Sequence, residues 1–292
     1  MKIVVHDTAS AMLELLERPQ EQRADALREM FEPVQSVMGP VDLVAMHRTG
    51  GGFRTDRDDP RYPAALRTMR EADVWNRVEE ALTAAWERID GAVPGVRHAG
   101  TVHVQVVLGD PDNEHLTGRS QGYLGFGGFP GAIQLYIWPT ETSLRHIGHA
   151  AAHELHHNVR YANVIWNPAA VTVGEQVVAE GLAEAFVREL YDEQAMGPWT
   201  RGLTGSALDA AYEKVTGAVD VAGMQNLPPY VYGDATARLM GAEPVGLPDF
   251  AGYATGLRIA TAHLAASGLT AAQSVALPTH EILANAGVPT GS

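Results

Sequence analysis

The chain has 292 residues, of which 46% are hydrophobic, and 21 basic and 35 acidic residues give it a formal charge of −14. This length and apolar content are enough to bury a large core, and the negative charge, without any cluster of Lys or Arg, argues against a nucleic-acid partner. Because cysteine is absent, disulfide frameworks and thiolate metal sites are excluded, so any metal must be bound by imidazole and carboxylate groups. No segment reaches the roughly 18 apolar residues of a membrane span. We therefore expect a cytoplasmic protein with no membrane partner.

The first third of the chain has the apolar spacing of helices. Two short helices are predicted between residues 8 and 38, interrupted at Pro19 and Pro33. A single apolar stripe then predicts a long helix over 71–89. Residues 1–95 are therefore expected to be mainly helical.

Two later segments alternate apolar and polar residues in the manner of strands, TVHVQVVLGD at 101–110 and AIQLYIWP at 132–139. The connection 110–131 is rich in Gly and aromatic residues, and unstructured connections of this length are commonly functional, for example as a flap over a cleft. We expect an α+β, predominantly helical fold with a small mixed sheet. The prediction is a single domain of residues 1–292, in which 96–292 contain the sheet, the metal-site helices and the C-terminal helices.

A histidine-rich segment at 140–161 lacks helix breakers and begins with Thr140, a favourable N-cap, which predicts one long helix. It contains HELHH, an example of the HExxH pattern. Residues four apart lie on one helix face, so His153 and His157 can present two imidazoles to one ion. Glu154 lies beside them, where its carboxylate can accept a proton from water at the metal. Because so short a pattern also occurs by chance in ordinary helices, the hypothesis requires a third ligand.

The third ligand of a catalytic zinc site usually comes from another element, and a fourth position stays open. The segment TVGEQVVAEGLAEAFVREL begins with Thr172 and Glu175 at capping-box spacing and predicts a second helix. Glu180 in its middle is the candidate third ligand, and the alternative is a solvated carboxylate on the helix surface. Glu184, one turn later, is a candidate hydrogen-bond acceptor that orients a ligating imidazole.

A rival ligand set on the same helix would combine His149 with His153 and His157. Residues eight apart lie about 12 Å apart along a helix axis, which is too far for one ion. We therefore interpret His149 as a residue that supports the ligands or packs beside them.

The stretches HELHHNVR and EGLAEAF, and more loosely GYATGLRIATAHL near the C-terminus, resemble a bacterial family of predicted zinc-dependent proteases that is otherwise uncharacterised. The resemblance extends from IQLYIW to HEILANAG, roughly the second half of the chain. It implies a zincin-like metalloprotease fold of the gluzincin type, with Zn²⁺ bound by His153, His157 and Glu180 and with Glu154 as catalytic base. It also implies that the strand AIQLYIWP is the sheet edge beside the cleft, along which an extended peptide could add.

Two tyrosines are candidates for stabilising the negative charge that develops on the carbonyl oxygen during attack on an amide. Tyr253 is the first, because it begins a predicted helix and lies in the loosely matching C-terminal stretch. Tyr232, in PPYVYGD, is the second. Ordinary packing of each ring is the alternative.

These features predict a zinc-dependent hydrolase that cleaves a peptide or amide bond. One alternative is a dedicated biosynthetic enzyme that acts on a specific precursor peptide or small metabolite, with Zn²⁺ or Fe²⁺ at the same two-His-one-Glu site. The other is a non-catalytic binding protein that a metal stabilises. The presence of Glu154 argues against the latter, because a structural metal needs no base. The sequence carries no signal for an oligomeric state.

Overall fold

A computed structural model describes residues 1–290 and contains, within them, four strands and thirteen α-helices. The predicted α+β, predominantly helical fold is therefore confirmed. The strands are β1 (Lys2–Val5), β2 (Thr101–Leu108), β3 (Tyr123–Phe129) and β4 (Ala132–Ile137). The helices are α1 (Thr8–Glu17), α2 (Gln20–Met38), α3 (Leu43–Thr49), α4 (Arg61–Glu71), α5 (Val74–Ala92), α6 (Glu141–Asn163), α7 (Val173–Leu190), α8 (Pro198–Arg201), α9 (Gly205–Thr216), α10 (Pro228–Val231), α11 (Asp234–Leu239), α12 (Ala251–Ser267) and α13 (Thr279–Asn285). Among these helices, none has the length and apolar character required to cross a membrane.

The chain forms two compact units. The first comprises Met1–Glu87 and Arg97–Asn158, and the second comprises Arg88–Val96 and Val159–Ser292. Both α5 and α6 continue from one unit into the other. The expectation of a single domain stays a prediction.

The first unit contains a mixed sheet in the order β1-β2-β4-β3. Neighbouring strands β1, β2 and β4 are parallel, whereas β3 runs antiparallel to β4. Strand β4 is buried on both faces, as central strands commonly are. The expectation that AIQLYIWP forms the sheet edge is therefore wrong, since β4 lies between β2 and β3. The edge strand of the sheet next to β4 is β3.

Strand β3 lies in the segment that the sequence pattern indicated as an irregular connection. It is joined to β4 by a tight turn through Pro130 and Gly131, where Gly131 has a φ of 102°, a conformation that favours glycine. The pairing with β4 shifts register between Phe126 and Phe129, which marks a β-bulge. The three glycines of YLGFGGF weaken the strand signal, because glycine is depleted in strands.

Helices α1, α2 and α4 pack against the sheet of the first unit. Their buried faces contribute Met12, Leu27, Phe31 and Leu66 to its core. Pro33 was expected to interrupt a helix but lies inside α2. Burial of apolar residues on both sides of the proline outweighs the loss of one helical hydrogen bond.

In the second unit, α7 and α12 approach each other closely at two glycines. A methyl group added at Gly181 would lie 2.0 Å from the carbonyl oxygen of Gly256, and one added at Gly256 would lie 2.0 Å from the carbonyl oxygen of Val177. The two backbones can make this contact only where side chains are absent. Helices α9 and α13 also pack on α12.

Arg160, near the end of α6, is fully buried and links three segments of the second unit. Its guanidinium donates to Glu175 Oε1 (Nε–Oε1 3.0 Å), to the Leu277 carbonyl (3.1 Å) and to Thr279 Oγ1 (2.9 Å). Thr172 caps α7 as predicted, accepting from the Glu175 amide at 3.1 Å. The Glu175 carboxylate is engaged by Arg160, so the start of α7 is held against the end of α6.

Candidate metal centre

The histidine-rich segment forms α6, which confirms the predicted helix. Thr140 Oγ1 accepts a hydrogen bond from the Ser143 amide at 3.0 Å and thereby caps the first turn. From Ala151 to Arg160 every residue of the helix is buried. Polar side chains in this part of α6 therefore require partners, since an unsatisfied buried polar group is costly.

Three predicted site residues, two on α6 and one on α7, lie close together. His153, His157 and Glu180 are 3%, 5% and 5% exposed, and each offers one ligand atom such that the three atoms lie within 4.8 Å of one another. The two Nε2 atoms are 2.9 Å apart, near the roughly 3.3 Å that two nitrogen ligands of a tetrahedral zinc ion would have. Two imidazoles and a carboxylate suit Zn²⁺ or Fe²⁺. These residues form a candidate metal site.

Glu180 is held by a neighbour on its own helix. Gln176, one turn earlier on α7, donates from Nε2 to Glu180 Oε1 at 2.9 Å. This hydrogen bond fixes one carboxylate oxygen, which limits the orientations that Glu180 can present to an ion. Gln176 was not among the predicted site residues, although its spacing of four residues from Glu180 is a signal that could have identified it.

Glu154 is 7% exposed and lies against strand β3. A methyl group added at Gly125 would be 2.5 Å from Glu154 Cγ and 2.6 Å from its Oε1. The carboxylate therefore occupies space beside a bare segment of strand backbone. Its role as a base stays a prediction.

His149 lies one turn before His153 and contacts another histidine. Its Nδ1 is 3.3 Å from Nδ1 of His146, whose ring stacks on Tyr123 with centroids 5.9 Å apart. His156 is fully buried. The supporting role of His149 stays a prediction.

Glu184 is almost completely buried and holds the segment that follows α7. Its Oε1 accepts from Trp199 Nε1 at 2.6 Å, and its Oε2 accepts from the Gly197 amide at 2.9 Å. A methyl group at Gly197 would collide with the Trp199 ring at 2.0 Å. The proposed contact of Glu184 with a ligating imidazole stays a prediction.

The two candidate tyrosines belong to one aromatic cluster in the second unit. The Tyr253 ring centroid lies 6.3 Å from that of Tyr232, 6.0 Å from that of Trp199 and 5.8 Å from that of Phe250. Phe250 precedes α12 with a φ of 59°, a strained conformation for a bulky residue and one that tends to occur at functional sites. Tyr253 lies in the first turn of α12, as predicted.

Tyr161 is a further residue near the site, and it was not among the predicted site residues. Burial, followed by the negative charges of Glu175 and Glu180, raises the pKa of Tyr161 well above its usual value. The hydroxyl group therefore stays protonated near a candidate ligand. Its position four residues after His157 places it on the same helix face, which is the signal that could have identified it.

Residues 74–284 match the model of a family described as "Predicted Zn-dependent protease (DUF2268)". The chain belongs to this family. It is 28% identical over 300 residues to "Uncharacterized protein YjfC" of Bacillus subtilis (strain 168), an alignment that covers 99% of both chains. It is 29% identical over 133 residues to "Uncharacterized protein YjaZ" of the same organism, covering 45% of this chain and 47% of YjaZ. No solved structure matches the chain significantly.

The family match includes the three candidate ligands but begins at the start of α5. Strand β1 and helices α1 to α4 therefore lie outside the part that the family model describes. The alignment with YjfC extends over them.

Proposed function

We propose that the protein is a zinc-dependent peptidase of the gluzincin type with a zincin-like fold. The observation that carries this proposal is the convergence of His153, His157 and Glu180 on one point, with Glu154 next to a ligand on the same helix. The family description supports zinc and proteolysis. The donor set supports a metal ion, because two imidazoles and a carboxylate whose ligand atoms lie within 4.8 Å of one another are a ligand combination that Zn²⁺ favours.

A zinc ion at this site would supply Lewis-acid activation of a water molecule and of the scissile carbonyl. His153, His157 and Glu180 would hold it, leaving a fourth position open. A carboxylate oxygen of Glu154 accepts the proton from the attacking water and returns it to the leaving amine. His149 and Glu184 support the ligands, and a neutral tyrosine hydroxyl, from Tyr253 or Tyr232, donates to the developing oxyanion.

The substrate of this proposal is an extended peptide that pairs with β3. This strand is an edge of the sheet and lies against Glu154. Backbone amides and carbonyls of an edge strand that face away from the sheet can pair with an added strand, and this pairing does not depend on the side chains of the added strand. A peptide in this position would run beside the proposed base.

The test combines metal analysis with a search for cleavage. The protein is purified without added metal, analysed for metal content, loaded with zinc and incubated with a mixed-sequence peptide library in which new termini are detected by mass spectrometry. We expect His157→Ala and Glu180→Ala to lose the metal. Glu154→Gln should retain one zinc per chain and lose about 10²–10⁴-fold in turnover. Glu87→Gln, at an exposed carboxylate on α5, serves as the control that retains activity.

Other outcomes would contradict particular parts of the proposal. Turnover by Glu154→Gln close to that of the unsubstituted protein would remove Glu154 as the base. Oxygen consumption with Fe²⁺, and no cleavage with Zn²⁺, would favour the dedicated biosynthetic enzyme. Bound metal without any cleavage or oxygen consumption would favour the non-catalytic binding protein.

A further inference from the structure

Strand β3 contains three glycines within four residues, and each has a different environment. A side chain at Gly125 would meet the Glu154 side chain, with Cγ, Oε1 and Cδ at 2.5, 2.6 and 2.7 Å. A side chain at Gly127 would meet the Glu154 backbone, with the carbonyl oxygen at 2.3 Å. A side chain at Gly128 would meet nothing within 4 Å. Side chains added at Gly125 and Gly127, which are two residues apart and so on one strand face, would meet α6, whereas one added at Gly128 would not.

Asn158, one helical turn after Glu154, attaches α6 to the end of the same strand. Its Nδ2 lies 3.0 Å from the Gly127 carbonyl, 2.8 Å from the Phe129 carbonyl and 3.0 Å from the Ala132 carbonyl. Its Oδ1 accepts from the Gly131 amide at 2.7 Å. The carboxamide is almost completely buried, so it makes these contacts without competition from water.

These hydrogen bonds act where β3 departs from regular pairing. The bulge between Phe126 and Phe129 leaves backbone groups that the sheet ladder does not satisfy, and buried backbone groups need partners. Asn158 supplies partners for them. As a result the strand cannot slide along α6 without breaking these contacts, and Gly125 is held in register with Glu154.

We propose that Gly125 is a positioning residue for Glu154: the missing side chain leaves the space in which the carboxylate lies, and Asn158 keeps that space in place. The proposal rests on the proposed function, in which Glu154 is the base. A methyl group at position 125 would displace the flexible end of Glu154 and leave the metal ligands in place. Proton transfer requires hydrogen-bond geometry, and a shift of about 1 Å can cost roughly 100-fold in rate.

The experiment replaces each of the three glycines by alanine in turn and compares the zinc-loaded variants. The measured quantities are metal content, unfolding temperature, kcat and KM. The activity assay uses a peptide identified from the library. Gly125→Ala should retain zinc and an unchanged KM and lose about 100-fold in kcat. Gly127→Ala should lower the unfolding temperature most, because the added methyl group would collide with the Glu154 backbone, which cannot move as a side chain can. An added methyl group at Gly128 meets nothing within 4 Å, so Gly128→Ala should leave the unfolding temperature unchanged. Gly91→Ala, in α5 and outside the proposed substrate-binding strand, is the control that should retain zinc and kcat.

A second arm requires no substrate. Gly125→Ala should lower the unfolding temperature by about 2–6 °C when residue 154 is Glu, as modest overpacking does. The same substitution should have no such effect in a Glu154→Ala background, where the three colliding atoms are absent. Gly128→Ala should have no effect in either background.

The two arms separate the proposals. If the zinc-loaded protein cleaves no peptide, the proposed function fails, while the thermal arm still measures the contact between positions 125 and 154. If the protein cleaves and Gly125→Ala keeps its kcat, the positioning role is overturned and the proposed function stands. Equal thermal shifts in both backgrounds would overturn the contact itself.

Discussion

His47 illustrates how burial sets the charge of a side chain in the first unit. Its ring is 2% exposed, lies against Phe53 and Tyr136, and is 2.8 Å from the Phe53 carbonyl through Nε2. Burial lowers the pKa of His47 to about 4, and the hydrogen bond to Phe53 opposes the shift only in part. Nδ1 has no hydrogen-bond partner, so a second proton would be buried without an acceptor. His47 is therefore neutral at pH 7.

The lowered pKa predicts a loss of stability in acid. An unfolded histidine titrates near 6.5, so the unfolded chain binds a proton before the native chain does as the pH falls from about 6.5 to about 4. Native stability decreases over this interval by about 3 kcal/mol and changes no further below it. His47→Gln does not titrate and can still donate to Phe53.

The measurement is guanidinium unfolding at pH 7 and pH 4 with chelator present, so that metal binding does not contribute. The unsubstituted protein should lose about 3 kcal/mol more than His47→Gln. Equal losses in the two proteins would show that His47 is not the group responsible.

At the residue scale, the sequence predicted the candidate ligands because their arrangement is largely local. His153 and His157 share a helix face through their spacing alone, and Glu180 is a carboxylate in the middle of the next helix. Gln176 could also have been found from spacing. Asn158 could not, because its partners belong to a hairpin that the sequence pattern did not reveal.

Among the helices, α7 and α12 approach each other closely because Gly181 and Gly256 lie at their contact. Replacing Gly181 by Ala would ordinarily favour a helix by about 1 kcal/mol. Here the added methyl group would overlap the Gly256 carbonyl, and neither backbone can move without displacing its helix.

Gly181→Ala should therefore reduce the free energy of unfolding by about 3 kcal/mol or more. The matched control is Gly91→Ala in α5, where an added methyl group meets nothing within 4 Å. That substitution should stabilise the protein by about 0.5–1 kcal/mol. Urea unfolding measures both, and a neutral Gly181→Ala would mean that the two helices are further apart than described.

The elements that the sequence predicted well are those with a strong internal pattern. Helices α6, α7 and α12 and strands β2 and β4 have clear periodicity or alternation. The missed elements lack one, since β1 has only four residues and β3 is rich in glycine. The expectation that β4 is the sheet edge came from the family resemblance, and β3 lies at that edge instead.

For the molecule as a whole, binding a metal ion is expected to stabilise the folded chain. His153 and His157 lie on α6 and Glu180 lies on α7, so the three ligands converge only after folding. An ion therefore binds the native state in preference to the unfolded one. At a free zinc concentration 100 times the Kd, this preference contributes about 2.7 kcal/mol. For a chain of this size the unfolding temperature rises by about 4–5 °C.

Removing the metal should reverse this stabilisation. Excess EDTA is expected to lower the unfolding temperature of the zinc-loaded protein by that amount, and added zinc should restore it. His157→Ala should respond to neither reagent. An equal response of that variant would place the stabilising ion elsewhere.

Asn158 has a consequence for attempts to engineer the ligand set. It is the immediate neighbour of His157, and its carboxamide fastens the turn and the bulge of the β3–β4 hairpin. Grafting the HExxH pentapeptide into another scaffold would transfer two imidazoles and a carboxylate. It would omit the Asn158 hydrogen bonds that hold the β3–β4 hairpin beside them. A transplantable unit therefore contains the pentapeptide, the following asparagine, the hairpin that this asparagine holds, and the helix α7 that carries Glu180.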